Sequence, residues 1–270
     1  MELIDIIFEE IGLIHLWVRR RAHFNTYSSS SSIETSSIKV SLKSAELISK
    51  KVFKKNNISK LDTSLLCADS SETAVYKLDW DILKSRVVDC MRCHLCKRRT
   101  NTVFGIGNKK ADWMLIGEAP GESEDLQGEP FVGRSGKLLD NMLQSLSLKR
   151  SENVYITNVI KCRPPKNRNP EPNEVASCMP YLRQQIVLVK PKLIVALGRF
   201  AGQTLLHSTL SIASMRGRVY EYDGIPVVVT YHPAYLLRSP FEKSKAWIDF
   251  CLARDIFFGK SRHNREIRSI

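Results

Sequence analysis

From Trp80 onward short apolar runs alternate with longer amphipathic ones, and this alternation limits the fold of the chain more than any other feature. Residues 113–116 form a compact apolar run stopped by Gly117, and residues 133–147 follow with Leu138, Leu139, Met142, Leu143 and Leu146 on one helical face. Residues 154–160 read as a second strand. Residues 171–189 read as a helix, because Pro172 suits a first turn and Pro191 cannot continue it. A third strand at 193–197 stops at Gly198, a short helix follows at 200–206, a fourth strand lies at 227–230 and a closing helix at 244–257. Strands and helices in this order predict a three-layer α/β/α fold around a central, mostly parallel four-stranded sheet. Ligands of such sheets sit outside the carboxyl ends of the strands. The chemistry is therefore expected in the segments at 117–125, 158–169, 198–202 and 231–237.

The first eighty residues differ in kind. They pass from an apolar start through five serines at 28–32 into Ser-, Lys- and Asn-rich sequence, which supports helices poorly. Residues 1–80 are read as a variable extension of poor order, 81–260 as the folded domain and 261–270 as a basic tail. Lysine and arginine total 41 against 28 acidic residues, a net charge of +13, so an acidic polymer is the expected partner. Residues 1–18 are apolar but carry Glu2, Asp5, Glu9 and Glu10, which fits neither a signal peptide nor a membrane span. A cytoplasmic protein without membrane contact is expected.

Seven cysteines, at 67, 90, 93, 96, 162, 178 and 251, form an odd set that does not suggest a disulfide framework. Cys90 and Cys93 make a C-x2-C pair, Cys93 and Cys96 a second, and Cys162 and Cys178 stand further along the chain. Four thiolates are what an iron–sulfur cluster requires. Four thiolates also suit zinc, and buried thiols need no metal at all. Spacing alone leaves these readings open, and it leaves open which two of the first three cysteines take part.

Six blocks then stand in order: Gly117-Glu118-Ala119-Pro120-Gly121, Glu124-Asp125, Pro130-Phe131-Val132-Gly133, Thr157-Asn158, Lys161-Cys162-Arg163-Pro164-Pro165 and His232-Pro233-Ala234. Over about residues 90–255 they resemble the signature of the family 4 uracil-DNA glycosylases, the iron–sulfur members of the uracil-DNA glycosylase superfamily. The resemblance implies a uracil-DNA glycosylase-like fold, with 81–260 as catalytic domain. It implies a monofunctional hydrolase of base-excision repair that releases uracil from DNA, with water as nucleophile, and leaves an abasic site. It also implies a structural 4Fe–4S cluster on Cys90, Cys93, Cys162 and Cys178, with Cys96 a bystander and no other cofactor. The partner it implies is uracil-containing DNA, single- or double-stranded, acted on by a monomer, with replication or repair proteins as further candidates.

Residue by residue, His232 is similar to the histidine that stabilises the departing uracil anion. Asn158 offers one acceptor and two donors, which match the uracil edge and mismatch that of cytosine. Phe131 is placed to stack on the base. Ala119 stands where better-known superfamily members carry a water-activating aspartate, so the resemblance gives the water to the backbone near Ala119 and to Asn167. Glu118 shapes the pocket, and Glu124 crowds the uracil C5 position. An extruded base leaves a gap in the duplex. Tyr235, Leu236 and Leu237 offer an apolar wedge to fill it, and Arg238 a phosphate-binding cation. Lys161, Arg163, Lys166 and Arg168 are expected to hold backbone phosphates. A non-catalytic DNA-binding module and a variant that links covalently to its product are the competing readings, and the basic His-containing insertion associated with the latter is absent after Cys162.

Overall fold

The computed structural model describes residue 75 and residues 78–259. The tail at 261–270 lies outside the described residues, as does the extension at 1–80 apart from residues 75 and 78–80. The first helix among the described residues, α1 (Trp80–Val88), starts at Asp79, whose carboxylate accepts the Ile82 N–H in the manner of an N-cap. Trp80 meets Phe104 and Tyr155 edge-on at 5.4 and 5.2 Å, which ties this helix to the domain.

Six strands make one sheet: β1 (Ile106–Gly107), β2 (Trp113–Gly117), β3 (Val154–Asn158), β4 (Leu193–Leu197), β5 (Val219–Tyr222) and β6 (Ile225–Thr230), in the order β1-β3-β2-β4-β6-β5. The four inner strands are the expected parallel ones, whereas β1 and β5 are antiparallel edges, so the count of four is corrected to six. β1 is two residues long and has no period to read. β5 joins β6 through Asp223 and Gly224, both at positive φ (48° and 79°), the backbone of a two-residue hairpin whose twist matches that of the strands.

The helices that follow are α2 (Glu122–Gln127), α3 (Arg134–Gln144), α4 (Pro172–Val189), α5 (Arg199–Leu205), α6 (Ile212–Met215), α7 (Pro233–Arg238) and α8 (Lys243–Phe257). α4 opens with Pro172 in its first turn and a capping box between Glu171 and Glu174. Side chains alternate across each inner strand. Trp113, Leu115, Val154, Ile156, Leu193 and Val195 pack in one cluster with Leu139 and Leu143 of α3 and Phe250 of α8. Met114, Ile116, Tyr155, Ile194 and Ala196 pack in the other with Leu182 and Ile186 of α4 and Leu205 of α5. Burial on both faces explains why these strands are continuous apolar runs. No helix among the described residues is long and apolar enough to cross a membrane.

Candidate active site

β2 and β3 end in register, with Gly117 beside Asn158. Side-chain alternation sends Thr157 toward α4 and Asn158 to the α3 side. There Gly117 leaves the room: a Cβ at this position would lie 2.7 Å from the Phe131 ring and would collide with Asn158 Oδ1. The result is a cavity of about 370 Å³ at the carboxyl ends of the strands, lined by Glu118, Ala119, Gly121, Glu124, Phe131, Asn158, Asn167, Arg168, His232, Tyr235 and Arg238, among others. Three of the four expected segments line it. The segment at 198–202 instead supports it from behind, since Gly198, at φ +97°, lies against His232.

Asn158 is buried, and its Oδ1 has no hydrogen-bond partner in the protein. A buried orphan acceptor is costly unless a ligand satisfies it. His232 is the N-cap of α7: Pro233 has no N–H to offer, and the Ala234 N–H donates to His232 Nδ1 at 3.1 Å. That bond places the ring proton on Nε2. Protein atoms crowd the ring although one edge opens on the cavity, and this burial, aided by the Arg238 charge, pulls its pKa down to about 4. The imidazole is therefore neutral at pH 7 and has an N–H to donate. Phe131 stacks on it, with ring centres 5.4 Å apart.

Phe131 itself sits at φ 55°, a strained backbone for a non-glycine residue. Arg150 holds it there by donating to the carbonyls of Pro130 and Phe131 at 2.8 and 2.9 Å. Gly136, in the first turn of α3, has no Cβ to strike the Phe131 carbonyl. Glu124 is locked by the Val132 and Gly133 N–H groups, which donate to its Oε1 at 3.1 and 3.3 Å. Burial pushes the Glu118 carboxyl up, with Arg199 opposing. Asn167, at φ 54°, accepts from Arg163 Nε at 2.8 Å.

The basic residues divide. Lys166 and Arg238 are exposed. Arg168 lines the cavity but is held by the buried Glu174, to which it donates twice, at 2.7 and 2.9 Å. Lys161 is buried, so it cannot hold a phosphate, and that expectation is corrected. Leu236 is corrected too: it is fully buried with α3 and α8, while its neighbours Tyr235 and Leu237 are the exposed members of the segment. Adjacent residues on a helix face different ways, and only the phase of α7 decides which leucine points inward. Arg150 and Ser135 belong to the site or its support and carry no local mark in the sequence, whereas Asn169 falls within the expected segment at 158–169.

Four cysteines converge from three places. A hydrogen bond reaches each sulfur: Tyr181 bonds Cys90, the Leu95 N–H Cys93, Arg99 Nη1 Cys162 at 3.2 Å, and the Lys161 N–H Cys178. Arg99 also donates to the carbonyls of Cys90 and Val88, both at 2.8 Å. Burial pushes the thiols of Cys93 and Cys162 up, and that of Cys178 up to about 12, so anionic sulfurs here need a compensating cation. Among the described residues no three of these sulfurs lie within 4.8 Å of one another. Four thiols brought together from three places are a donor set that fits a 4Fe–4S cluster. Cys96 lies on the same turn, within electrostatic reach of Cys93.

A mostly parallel sheet with this cavity at its strand ends defines the class: the sequence model of the Uracil DNA glycosylase superfamily matches residues 104–254, a stretch that holds all six strands and the pocket. The chain is 46% identical over 178 residues to a type-4 uracil-DNA glycosylase of Archaeoglobus fulgidus, an overlap covering 63% of this chain and 89% of that protein. It is 45% identical over 161 residues to a type-4 uracil-DNA glycosylase of Thermotoga maritima, covering 59% and 83%. A type-5 uracil-DNA glycosylase of Pyrobaculum aerophilum is 29% identical over 191 residues, covering 58% and 83%. The chain belongs to the type-4 uracil-DNA glycosylase family.

Proposed function

We propose that residues 81–260 form a uracil-DNA glycosylase domain that hydrolyses the N-glycosidic bond of deoxyuridine in DNA. The observation that carries this reading is the orphan acceptor of Asn158, which opens on the same cavity as the neutral His232. Uracil offers an N3–H for Asn158 Oδ1 and an O4 for its amide N–H, whereas cytosine offers the reverse. Mispairing would leave buried polar groups unsatisfied, which disfavours cytosine strongly. Phe131 presents a face for stacking, worth roughly 1–3 kcal/mol, which offsets part of the cost of extruding the base. Glu124, fixed by two N–H groups, walls the side where a C5 methyl would enter.

As the bond from N1 to C1′ breaks, its electron pair stays with uracil, and His232 Nε2–H donates to the O2 of the departing anion. Water, held by the backbone near Ala119 and by Asn167, bonds to C1′ and loses its proton to solvent. Cys90, Cys93, Cys162 and Cys178 would hold a 4Fe–4S cluster, which supplies a cross-link between the loop after α1, the end of β3 and α4. At and beside the rim of the pocket, Lys166 and Arg238 meet phosphates, and Leu237 with Tyr235 fills the gap in the stack. Location in the cytoplasm fits such a reaction.

Incubation with uracil-bearing single- and double-stranded oligonucleotides is expected to release free uracil and leave an alkali-labile abasic site. Intact DNA after incubation with folded, iron-bearing protein would overturn the reading. The two leucines separate the wedge from the core. Leu237→Ala is expected to slow excision from duplex more than from single strands while the melting temperature holds. Leu236→Ala is expected to cost about 2–5 kcal/mol of stability.

A further inference from the structure

Lys161 is 1% exposed, and its ammonium group is saturated by protein. Nζ donates to Thr157 Oγ1, to the main-chain carbonyl of Asn158 and to Gln185 Oε1, each at 2.7 Å. An ammonium has three N–H donors and no acceptor, so nothing is left over for a phosphate. The partners are themselves fixed. Thr157 Oγ1 donates to the Phe104 carbonyl at 2.9 Å, and Gln185 Nε2 donates to the same carbonyl at 2.9 Å and to Tyr155 Oη at 3.1 Å. Lys161 thus ties the carboxyl end of β3 to α4.

The same residue borders the cysteine site. Its backbone N–H points at Cys178, and Cys162 follows it in the chain. Cys178 and Gln185 stand seven residues apart on α4, two turns along one face, so the sulfur and the amide both turn toward the end of β3. None of the three partners of Nζ is a carboxylate. A buried ammonium without a carboxylate costs more than a methionine of similar length. The sulfurs of Cys178 and Cys162 favour the charged amine against the cost of its burial.

Across the strand the need is visible. Asn158 Oδ1 has no protein partner, so nothing on the pocket side restrains that acceptor, and its aim depends on the backbone that carries it. That backbone is pinned at the carbonyl of Asn158 by Lys161, and one residue on by the Val159 N–H, which donates to the Gly117 carbonyl at 2.9 Å. We propose that Lys161 is a positioning residue for base recognition: by clamping the Asn158 peptide to Thr157 and Gln185, it aims the Asn158 amide at the uracil edge and links that aim to the order of the cysteine site. This rests on the reading of Asn158 as the uracil-binding amide.

The test compares ligands that do and do not use Asn158. Free uracil, as a competitive inhibitor, carries the edge that Asn158 reads; a duplex with a stable abasic-site analogue has no base. Lys161→Met is expected to weaken inhibition by uracil, and the single-turnover rate, by roughly tenfold or more, the loss expected of a buried hydrogen-bond clamp, with abasic-duplex affinity within about twofold of the parent. In an Asn158→Ala background the same change is expected to add less than about threefold, because a residue acting through another shows little further effect once that residue is gone. Iron content is measured alongside. Equal losses for uracil and abasic duplex, or a full multiplicative loss in the Asn158→Ala background, overturn the proposal. If Lys161→Met does not fold, Thr157→Val decides: it removes one clamp acceptor at constant shape, and unchanged uracil inhibition overturns the proposal while a several-fold weakening supports it. A parent protein that releases no uracil refutes the functional reading itself; a parent that does, with variants that fail to separate the two ligands, refutes only the role of Lys161.

Discussion

Replacing His232 by Ala is expected to slow uracil release by about 10²–10³-fold, the usual cost of removing one preorganised donor from a developing anion, with little change in affinity for abasic duplex. The geometry sets this size. Nδ1 is occupied by the Ala234 N–H, so the donor must be Nε2, and the stacked Phe131 ring restricts how the imidazole can turn. A donor held in place before reaction needs no reorganisation when charge moves onto the base. The pH dependence follows from the same environment. The folded value near 4 lies below the usual ~6.5 of histidine, so between the two the unfolded chain binds the proton and the folded one does not. This ring therefore contributes stability above about pH 6.5, and that contribution is lost as pH falls toward 4. Single-turnover rates are accordingly expected to show no acid limb at pH 6.5 that His232 would explain; such a limb, lost in the His232→Ala protein, would show that the charged ring is excluded at neutral pH by too little to support this mechanism.

How much of this was legible beforehand differs by residue, for physical reasons. The four parallel strands could be read because burial on both faces leaves continuous apolar runs, and Pro172 and Pro191 bracketed α4. The pocket segments could be read because strand ends in such sheets are where ligands bind. The hairpin at Asp223 and Gly224 carries a usable local signal, an Asp-Gly pair before a β-branched run. Lys161 could not be read. It stands in a basic run that suggests a solvated loop, and its burial depends on Gln185, 24 residues away on α4. Arg99 and Arg150 are of the same kind: their partners lie 63 and 19 residues off, at Cys162 and Phe131, and only the fold joins them. Leu236 and Leu237 were offered together, since two neighbouring leucines differ only in helical phase.

Cys178→Ala is expected to reduce iron from about four atoms per chain, the content of one 4Fe–4S cluster, to near none. Cys162 and Cys178 are buried in the main core, so the loss is not confined to the surface. With the cluster go the cross-links among the loop after α1, the end of β3 and α4, and Arg99 is left with a donor and no anionic sulfur to receive it. A loss on the order of 5 kcal/mol would lower the melting temperature by ~10–20 °C for a domain of this size. Cys90→Ala, Cys93→Ala and Cys162→Ala should follow the same course, and Cys96→Ala should keep its iron. The contrast matters more than any single variant, because a general sensitivity to mutation near the core would not spare Cys96 while affecting Cys90, which is also only partly buried. Iron retained after Cys90→Ala but lost after Cys96→Ala would move the site along the turn, and zinc in place of iron in the purified protein would remove the cluster from this account. Reconstitution of the Cys178→Ala protein with iron and sulfide should restore neither the metal nor the stability, since the missing ligand is a side chain and not a supply of ions.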